Sequence, residues 1–444
     1  MFILKIHNIE GDTMKGVNKL TRLLLIFSIM SVILLGNISI TYAKTELDFY
    51  YPVGVAGPLA KVISGMVDEF NNLYPDIEVT PIYAGNYDDT MQKVQTAVMS
   101  GTPPDLAVLE ISELHTMLSM NATISLDKYI QQEEAGFLEQ YFAAFLENGQ
   151  YQGKQYTIPF QRSTPVLYWN KEYFAEKADE LRAAGLDPDS PPESWDELIG
   201  YGKVLTDRQK NKWGLIIPGG WNDWILEGFA RQNNAQLMND LGTKVYFNDD
   251  KVLEAVQLWY DMANKYKVMP PQVRTWAGSP ADFVGGASAM LYNSTGALTY
   301  IKKSAPFDFG VAFMPKNKRY GAAVGGGDFH IFRGISKEKQ DAAWEFIKFM
   351  TLPENAGHWS RESGYIAVRK ESWELPVMKD YIKAVPEMLV AKEQLKYAHR
   401  KMSSVNYQQI REILTNYLDA VIEGKMKAKE AMDFAQKEAM NVLQ

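Results

Sequence analysis

The feature that most constrains the fold of this chain is a regular alternation of strand-like and helix-like segments between Leu47 and Glu110. The stretches LDFYYPV, IEVTPIY and PPDLAVLE are rich in apolar and aromatic residues, as half-buried or buried strands are. The stretches between them place apolar residues three and four positions apart, as on one face of a helix. Strands that alternate with helices form a largely parallel sheet covered by helices. The sequence therefore predicts an α/β fold.

The same alternation returns later in the chain. The stretches TPVLYWN, SAMLYNS and FDFGVAF read as strands with helical segments between and after them, and the chain is mostly helical beyond Pro376. A chain of 444 residues is long enough for two or three domains, yet no low-complexity linker separates its parts. We therefore expect two α/β lobes joined by crossing strands.

The N-terminal segment is typical of an export signal. Lys15, Lys19 and Arg22 precede the apolar run LLLIFSIMSVILLG, and the small residue Ala43 follows shortly after it. A basic flank, a short apolar core and a small exit residue predict a secretory signal peptide over residues 1–43. A permanent membrane anchor is the alternative. Because the chain has no cysteine for lipid attachment, we expect a soluble periplasmic protein that is not a lipoprotein.

Composition and motif content exclude several classes of function. A net charge of -8 without a basic block offers no electrostatic footprint for nucleic acid. With no cysteine and five scattered histidines, the sequence has no zinc motif and no cysteine nucleophile. The glycine-rich motifs of nucleotide-binding proteins and the serine elbow of hydrolases are missing too. We predict no catalytic residue, no metal and no cofactor, although the many carboxylates leave a glycoside-hydrolase pair open.

Aromatic and hydroxyl-bearing residues at predicted element ends favour binding of a small solute instead. Trp221 and Trp224 flank Asn222 and Asp223. Aromatic faces stack on sugars and polyols while polar neighbours bind hydroxyls; a packed pair in the core is the alternative. Ser294 in the stretch YNSTG offers its hydroxyl either to a ligand or to a helix N-terminus as a cap.

Five stretches resemble one known family. They are FYYPVGVAGPLAKVISGMVDEFNNLYPDIEV, YAGNYDDTMQKVQTAVMSGTPPDLAVLE, IPFQRSTPVLYWNKEYF, PPESWDELIGYGKVLT and LPENAGHWSRESGYIAVRK. In this order they are similar to solute-binding proteins of ATP-binding-cassette importers, especially the sn-glycerol-3-phosphate-binding branch of the maltose-binding-protein-like family. The resemblance covers Lys44 to Gln444. It implies the periplasmic-binding-protein fold, in which two α/β lobes are joined by crossing hinge strands with a ligand cleft between them.

The resemblance also implies a division of the chain between the two lobes. Lobe one would comprise residues 44–158 and 307–352, and lobe two residues 159–306 and 353–444. Ser163 would then stand at the start of lobe two, on the floor of the cleft.

Ligand contacts implied by the resemblance come from several separate motifs. They fall on Tyr87, Glu110, Ser163, Trp221, Trp224, Ser294, Gly326 and Tyr365. Glu110 would accept hydrogen bonds from solute hydroxyls. Arg162 and Arg400 are the candidate cations, and Asp328 beside the glycines would repel a phosphate.

Together these residues predict a protein that closes on a solute and delivers it to the permease subunits of an importer. The expected solute is a small polyol, sugar or glycerol phosphate, with sn-glycerol 3-phosphate as the leading candidate. The protein itself is expected to be a monomer. A secreted carbohydrate-active hydrolase and a sensory binding protein without a transport role are the alternatives.

Overall fold

The alternation predicted near the N-terminus is present in the structure, a computed structural model that describes residues 44–53 and 58–444. The predicted signal peptide, residues 1–43, lies outside the described residues. Across the two described ranges, no helix has both the length and the apolar character that crossing a membrane requires.

The strands and helices of the described residues are labelled in chain order. The strands are β1 (Thr45–Tyr51), β2 (Ile77–Tyr83), β3 (Leu106–Glu110), β4 (Gln150–Tyr151), β5 (Lys154–Gln155), β6 (Ile158–Ser163), β7 (Pro165–Asn170), β8 (Trp213–Ile216), β9 (Ser288–Ser294), β10 (Phe309–Ala312), β11 (Ala322–Ala323), β12 (Gly325–Ile331) and β13 (Ala398–His399). The α-helices are α1 (Leu59–Leu73), α2 (Tyr87–Met99), α3 (Leu114–Ser119), α4 (Asp127–Ile130), α5 (Ala143–Leu146), α6 (Lys171–Glu176), α7 (Ala178–Ala183), α8 (Trp195–Leu205), α9 (Asn222–Gln232), α10 (Asp250–Tyr260), α11 (Ser279–Val284), α12 (Leu298–Ser304), α13 (Lys337–Met350), α14 (Pro353–Ser363), α15 (Pro376–Ala384), α16 (Glu387–Gln394), α17 (Tyr407–Ile422) and α18 (Ala428–Leu443).

The first sheet has five strands in the order β2-β1-β3-β12-β6. β1 runs parallel to β2 and β3, whereas β12 runs antiparallel to β3 and β6. The end of β3 therefore lies beside the start of β12, where Glu110 pairs with Gly327, and the end of β6 lies beside them, where Ser163 pairs with Gly325. Three separate parts of the chain thus bring polar groups to one edge.

The second sheet has four strands in the order β10-β7-β9-β8. β7 runs antiparallel to β10 and β9, and Pro165 at its start pairs with Ser294 at the end of β9. Only Thr164 separates β6 in the first sheet from β7 in the second. The chain therefore crosses between the sheets at the same edge that carries Ser163.

Two strand assignments in the sequence-based division are wrong. Gln161, Arg162 and Ser163 do not begin the second sheet, because their backbone pairs with β12 in the first sheet. The sequence-based division also places residues 309–312 in lobe one, but β10 pairs with β7 in the second sheet. In each case the strand joins the sheet whose neighbouring strand satisfies its backbone donors and acceptors.

Large apolar clusters fix these sheets against their helices. One cluster includes Phe49, Phe70 and Phe346 around the first sheet, and another includes Phe229 and Trp259 around the second. The apolar residues of α13 are buried on one face of the helix, against the first sheet. Removal of this apolar surface from water is the main favourable contribution to folding.

A capping motif formed by Asn86 and Asp89 fixes the start of α2. Asn86 accepts a hydrogen bond from the backbone N–H of Asp89, and the Asp89 carboxylate accepts one from the backbone N–H of Asn86, each at 3.0 Å. This reciprocal capping box fixes the first turn of the helix. Tyr87, the first residue of α2, is thereby held at the edge of the first sheet, where it is buried.

Candidate functional site

The edge at which the two sheets meet carries a small pocket, which we call the inner pocket. Its volume is about 40 Å³, room for a few water molecules. It is lined by Tyr87, Glu110, Ser163, Trp221, Trp224, Trp276, Ser294, Gly325, Gly326, Tyr365 and Lys401. Eight of the ten residues predicted as ligand contacts are brought together here, and Arg162 and Arg400 are the two that are not.

A much wider cavity adjoins the inner pocket, and we call it the outer cavity. Its volume is about 850 Å³. Tyr87, Trp221 and Trp276 line both spaces, so the two are neighbours. Arg411 also lines the outer cavity, with its guanidinium carbon 4.0 Å from the centre of the Trp221 ring and its Nη2 2.8 Å from the Asp88 carboxylate.

Two tyrosine hydroxyls form one wall of the inner pocket. The Tyr87 hydroxyl donates a hydrogen bond to the Gln161 side-chain oxygen at 3.0 Å and lies 3.4 Å from the Tyr365 hydroxyl. Burial raises the pKa of Tyr87 well above its usual value and raises the pKa of Tyr365 to about 12. Both groups are therefore neutral phenols; Tyr87 donates its proton to Gln161, whereas the Tyr365 hydroxyl can donate a hydrogen bond to a solute.

Glu110 forms a buried ion pair at the base of the pocket. Its Oε1 lies 3.0 Å from the Lys401 Nζ, and its Oε2 accepts a hydrogen bond from the Ser112 backbone N–H at 2.8 Å. Both carboxylate oxygens already have a protein donor. The sequence predicts Glu110 as a free acceptor for hydroxyls, and the structure instead shows it paired with a cation.

Lys401 is the one charged pocket residue that sequence reasoning missed. Its side chain is only 1% exposed, and its Nζ lies 4.5 Å from the centre of the Trp221 ring. The resemblance implies Arg400 as a candidate cation, but the neighbouring Lys401 is the cation that lines the inner pocket. The half-buried Arg400 lines neither the inner pocket nor the outer cavity; its backbone N–H donates to Glu147 at 3.1 Å.

Arg162 and Asp328 lie away from both spaces and pair with each other. Arg162 Nη1 is 3.0 Å from Asp328 Oδ1, and Arg162 Nη2 donates to the Phe145 carbonyl at 2.9 Å. The second oxygen of Asp328 accepts a hydrogen bond from the Thr157 hydroxyl at 2.9 Å. The predicted roles of Arg162 as a pocket cation and of Asp328 as a repulsive carboxylate are therefore wrong, because each charge is neutralised within the protein.

The two predicted stacking residues occupy different settings. Trp224 lies within α9, is buried, and donates its indole N–H to the carbonyls of Ala323 and Val324, both at 3.0 Å. It is thus a packed residue whose ring also lines the pocket. Trp221 caps the start of α9 and is half-buried, with its ring facing the outer cavity as well. Trp276, which the sequence analysis did not identify, adds a third indole.

Backbone geometry explains the glycine and the serine of the pocket. Gly326 has a φ of +104°, and a Cβ on it would lie 1.6 Å from the Gln161 carbonyl oxygen. Only glycine fits this close approach of β12 to β6. The Ser294 hydroxyl accepts a hydrogen bond from the Gly296 N–H at 3.0 Å, as a helix cap does, and the residue also lines the pocket.

Two further buried carboxylates lie near the Glu110–Lys401 pair. Burial, reinforced by the nearby Glu110 charge, raises the pKa of Glu113 to about 8, with Arg411 acting in the opposite direction. Burial likewise raises the pKa of Glu227 to about 7. Among the residues that the structure describes, no group of three or more carboxylate or imidazole side chains is arranged to hold a metal ion.

Comparison with known proteins identifies the family. The profile of the bacterial extracellular solute-binding protein family matches residues 65–387. The sn-glycerol-3-phosphate-binding periplasmic protein UgpB of Yersinia pseudotuberculosis is 30% identical over 421 residues, covering 88% of this chain and 90% of the relative. UgpB of Escherichia coli is 28% identical over 430 residues, covering 91% and 93%.

Solved structures share the fold over nearly the whole described chain. UgpB from Mycobacterium tuberculosis in complex with glycerophosphocholine has a TM-score of 0.77 and 23% identity, covering 90% of this chain and 98% of that one. The cyclic alpha-maltosyl-1,6-maltose binding protein from Arthrobacter globiformis has a TM-score of 0.76 and 22% identity, covering 90% and 99%. The predicted two-lobed periplasmic-binding-protein fold is confirmed. This chain belongs to the bacterial extracellular solute-binding proteins and is the substrate-binding protein of an ATP-binding-cassette importer.

Proposed function

We propose that the solute held at the inner pocket and the neighbouring part of the outer cavity is a small polyol carrying a phosphate, with sn-glycerol 3-phosphate as the leading candidate. The observation that carries this proposal is Lys401, the one cationic side chain among the described residues that line the inner pocket. An ammonium group beside hydroxyl donors suits a phosphate with neighbouring hydroxyls. The names of the curated relatives support the same class of solute.

The remaining pocket residues supply groups that suit such a solute. The hydroxyls of Ser163, Ser294 and Tyr365 can donate to phosphate or accept from solute hydroxyls. Gly326 lets the backbone approach the solute closely. The indole of Trp221 offers an apolar face for the carbon skeleton of a polyol.

Solute capture proceeds in this proposal by closure of the two lobes. Glu110, Ser163 and Gly326 belong to the first sheet, whereas Ser294 belongs to the second. A solute that contacts both groups binds the closed arrangement better than the open one and shifts the population toward it. The crossing at Thr164 is the first hinge, and the stretch between β10 and β12 is the second.

The pocket does not favour the hydrolase alternative. Glycoside hydrolysis uses two carboxyl groups that face one bond, roughly 5 to 9 Å apart. Glu110 is the only carboxylate among the described residues lining the inner pocket, and Lys401 pairs with it. The single carboxylate therefore supports a protein that binds its solute and does not act on it chemically. We further propose that the protein is a monomer without a lipid anchor. It acts in the periplasm and releases its solute to the permease subunits.

Isothermal titration of the protein from Lys44 onward tests the proposed solute. The panel is sn-glycerol 3-phosphate, glycerophosphodiesters, glycerol, and neutral sugars and polyols. We expect micromolar or tighter binding, about -8 kcal/mol or better, for a phosphate-bearing compound and much weaker binding for glycerol. A Trp221→Ala variant should weaken that binding by about tenfold or more, because it loses the stacking face.

The matched control is Leu241→Ala, since Leu241 is exposed and lines neither space. It should bind as the unmodified protein does. Binding of neutral sugars alone would discard the phosphate and keep the importer role.

A further inference from the structure

The Lys401 ammonium occupies surroundings that resemble a binding site for a free cation. Its Nζ lies 4.5 Å from the ring centre of Trp221, 5.1 Å from that of Tyr407 and 6.0 Å from that of Trp224. The Glu110 carboxylate approaches it to 3.0 Å from another side. Several aromatic faces together with one carboxylate are what proteins use to bind ammonium ligands. We call these four residues, Glu110, Trp221, Trp224 and Tyr407, the ammonium cage.

The backbone holds Lys401 in the cage independently of the ammonium. The backbone N–H of Lys401 donates to the Asn148 side-chain oxygen at 3.0 Å, and its carbonyl accepts from the Asn148 amide at 2.9 Å. On the next two residues, the Met402 N–H donates to Glu227 at 3.0 Å and the Ser403 hydroxyl donates to the Ser112 carbonyl at 2.7 Å. Residues 401–404 thus form a strap, fixed at several points, that presents one side chain to the cage.

Three of the four cage members, Glu110, Trp224 and Tyr407, are held by partners other than Lys401. Glu110 Oε2 is held by the Ser112 backbone N–H, and the Trp224 indole N–H is held by two carbonyls. The Tyr407 hydroxyl donates to Asp223 at 3.2 Å. Removal of the lysine side chain would therefore leave a preformed cage that still presents a carboxylate and aromatic faces.

We infer that Lys401 is an internal occupant of the ammonium cage and that this occupancy sets the charge selectivity of the inner pocket. With its own ammonium in place, the pocket excludes solute groups that carry a positive charge. The remaining N–H donors of Lys401, which Glu110 does not use, are available to an anionic group. The inference rests on the proposed solute class only for the identity of that anion; the cage itself can be tested with simple cations.

Chemical rescue of Lys401→Ala tests the inference. The substitution removes three side-chain carbons and the ammonium, and n-butylammonium carries an ammonium on a four-carbon chain that can take their place. We expect n-butylammonium to raise the melting temperature of Lys401→Ala by at least about 2 °C, because a ligand that binds only the folded state stabilises it. The neutral 1-butanol should give no comparable shift. The unmodified protein and Arg400→Ala should respond to neither compound, because their cage is filled.

The same variant tests charge selectivity. Lys401→Ala should bind sn-glycerol 3-phosphate about tenfold to a hundredfold more weakly, while its affinity for glycerol changes by less than about threefold. Lys401→Arg should retain most of the affinity for the phosphate, and Arg400→Ala all of it. Equal responses to n-butylammonium and 1-butanol, or full retention of phosphate affinity by Lys401→Ala, would overturn the inference.

Two further results separate this inference from the proposed solute. If the unmodified protein binds no phosphate-bearing polyol and n-butylammonium still rescues Lys401→Ala, the solute is wrong and the cage is right. If Lys401→Ala does not fold, the double variant Lys401→Met with Glu110→Gln, which leaves no unpaired charge, replaces it. That variant must lose the preference for sn-glycerol 3-phosphate over glycerol, and retention of the preference would refute the assignment.

Discussion

Two buried ion pairs near the meeting point of the sheets differ in what surrounds them. Arg162 and Asp328 are 0% and 1% exposed, and Lys401 and Glu110 are 1% and 4% exposed. The Arg162–Asp328 pair is enclosed by further protein partners and lines neither the inner pocket nor the outer cavity. The Lys401–Glu110 pair lines the inner pocket. Burial alone therefore does not distinguish a structural ion pair from one that can contact a solute. What distinguishes them is whether the pair lines a pocket.

The largest effect on stability is expected when the enclosed pair is broken. Arg162→Met should lower the free energy of unfolding by about 3–5 kcal/mol, because Asp328 would remain buried and unpaired. Burial already raises the pKa of Asp328, so the loss should be smaller at pH 5, where the unpaired carboxyl can take up a proton. Urea unfolding at pH 5 and pH 8 measures both values.

The control for this change is the double variant Arg162→Met with Asp328→Asn, which leaves no isolated charge. It should recover part of the lost stability. A cost below about 1 kcal/mol for Arg162→Met would contradict the view that the enclosed pair is structural.

Breaking the pair in the pocket should cost less stability. Lys401→Met should lower the free energy of unfolding by roughly 1–3 kcal/mol, because Glu110 keeps the Ser112 N–H and can be hydrated from the pocket. A clearly higher free energy of unfolding for Lys401→Met than for Arg162→Met, measured in urea, would support the difference between the two ion pairs. Equal costs for the two variants would remove the distinction between them.

A smaller, pH-dependent effect is expected at Glu113, which lies beside the pocket pair. Its pKa is raised from 4.5 to about 8 in the folded protein, so the folded state holds this proton more tightly than the unfolded state does. The stability from this group is therefore present below about pH 4.5 and is lost as the pH rises through about 8. Glu113→Gln should match the unmodified protein at pH 5 and exceed it at pH 9 by an amount on the order of 1–3 kcal/mol.

Urea unfolding at pH 5, 7 and 9 measures this difference, with the exposed Glu412→Gln as the control. The control should follow the unmodified protein at every pH. Parallel pH profiles for Glu113→Gln and the unmodified protein would show that Glu113 is charged in the folded state.

The smallest effect is expected at Arg400, the cation next to Lys401 in sequence. Arg400→Ala should change the free energy of unfolding by less than about 0.5 kcal/mol and leave solute affinity within about twofold, because its side chain faces neither space. Titration calorimetry and urea unfolding on the same preparation test both. A tenfold loss of affinity would show that the cation of the pocket had been assigned to the wrong residue.

The sequence predicts the fold from local signals and much of the pocket from the family resemblance. Alternating patterns give the strands of both sheets, whereas Glu110 and Ser163 are predicted as pocket residues from the family resemblance and Ser294 also from its hydroxyl where a strand meets a helix. Lys401 and Trp276 were missed because they come from irregular stretches whose position depends on tertiary packing. The pairing of Arg162 with Asp328 depends on the register between β6 and β12, which shifts at Gly327 and which no local pattern reveals.

The strap of residues 401–404 has a consequence for the order in which the protein matures. It completes a pocket whose other walls begin at Tyr87, and its hydrogen bonds reach residues 175 to 291 positions earlier in the chain. Contacts of such long sequence separation form late in folding, after the intervening chain is ordered. A growing chain that does not yet include Lys401 can form the strands that come early in both sheets. It cannot form the complete pocket. Solute recognition is thus withheld until nearly the whole polypeptide is available.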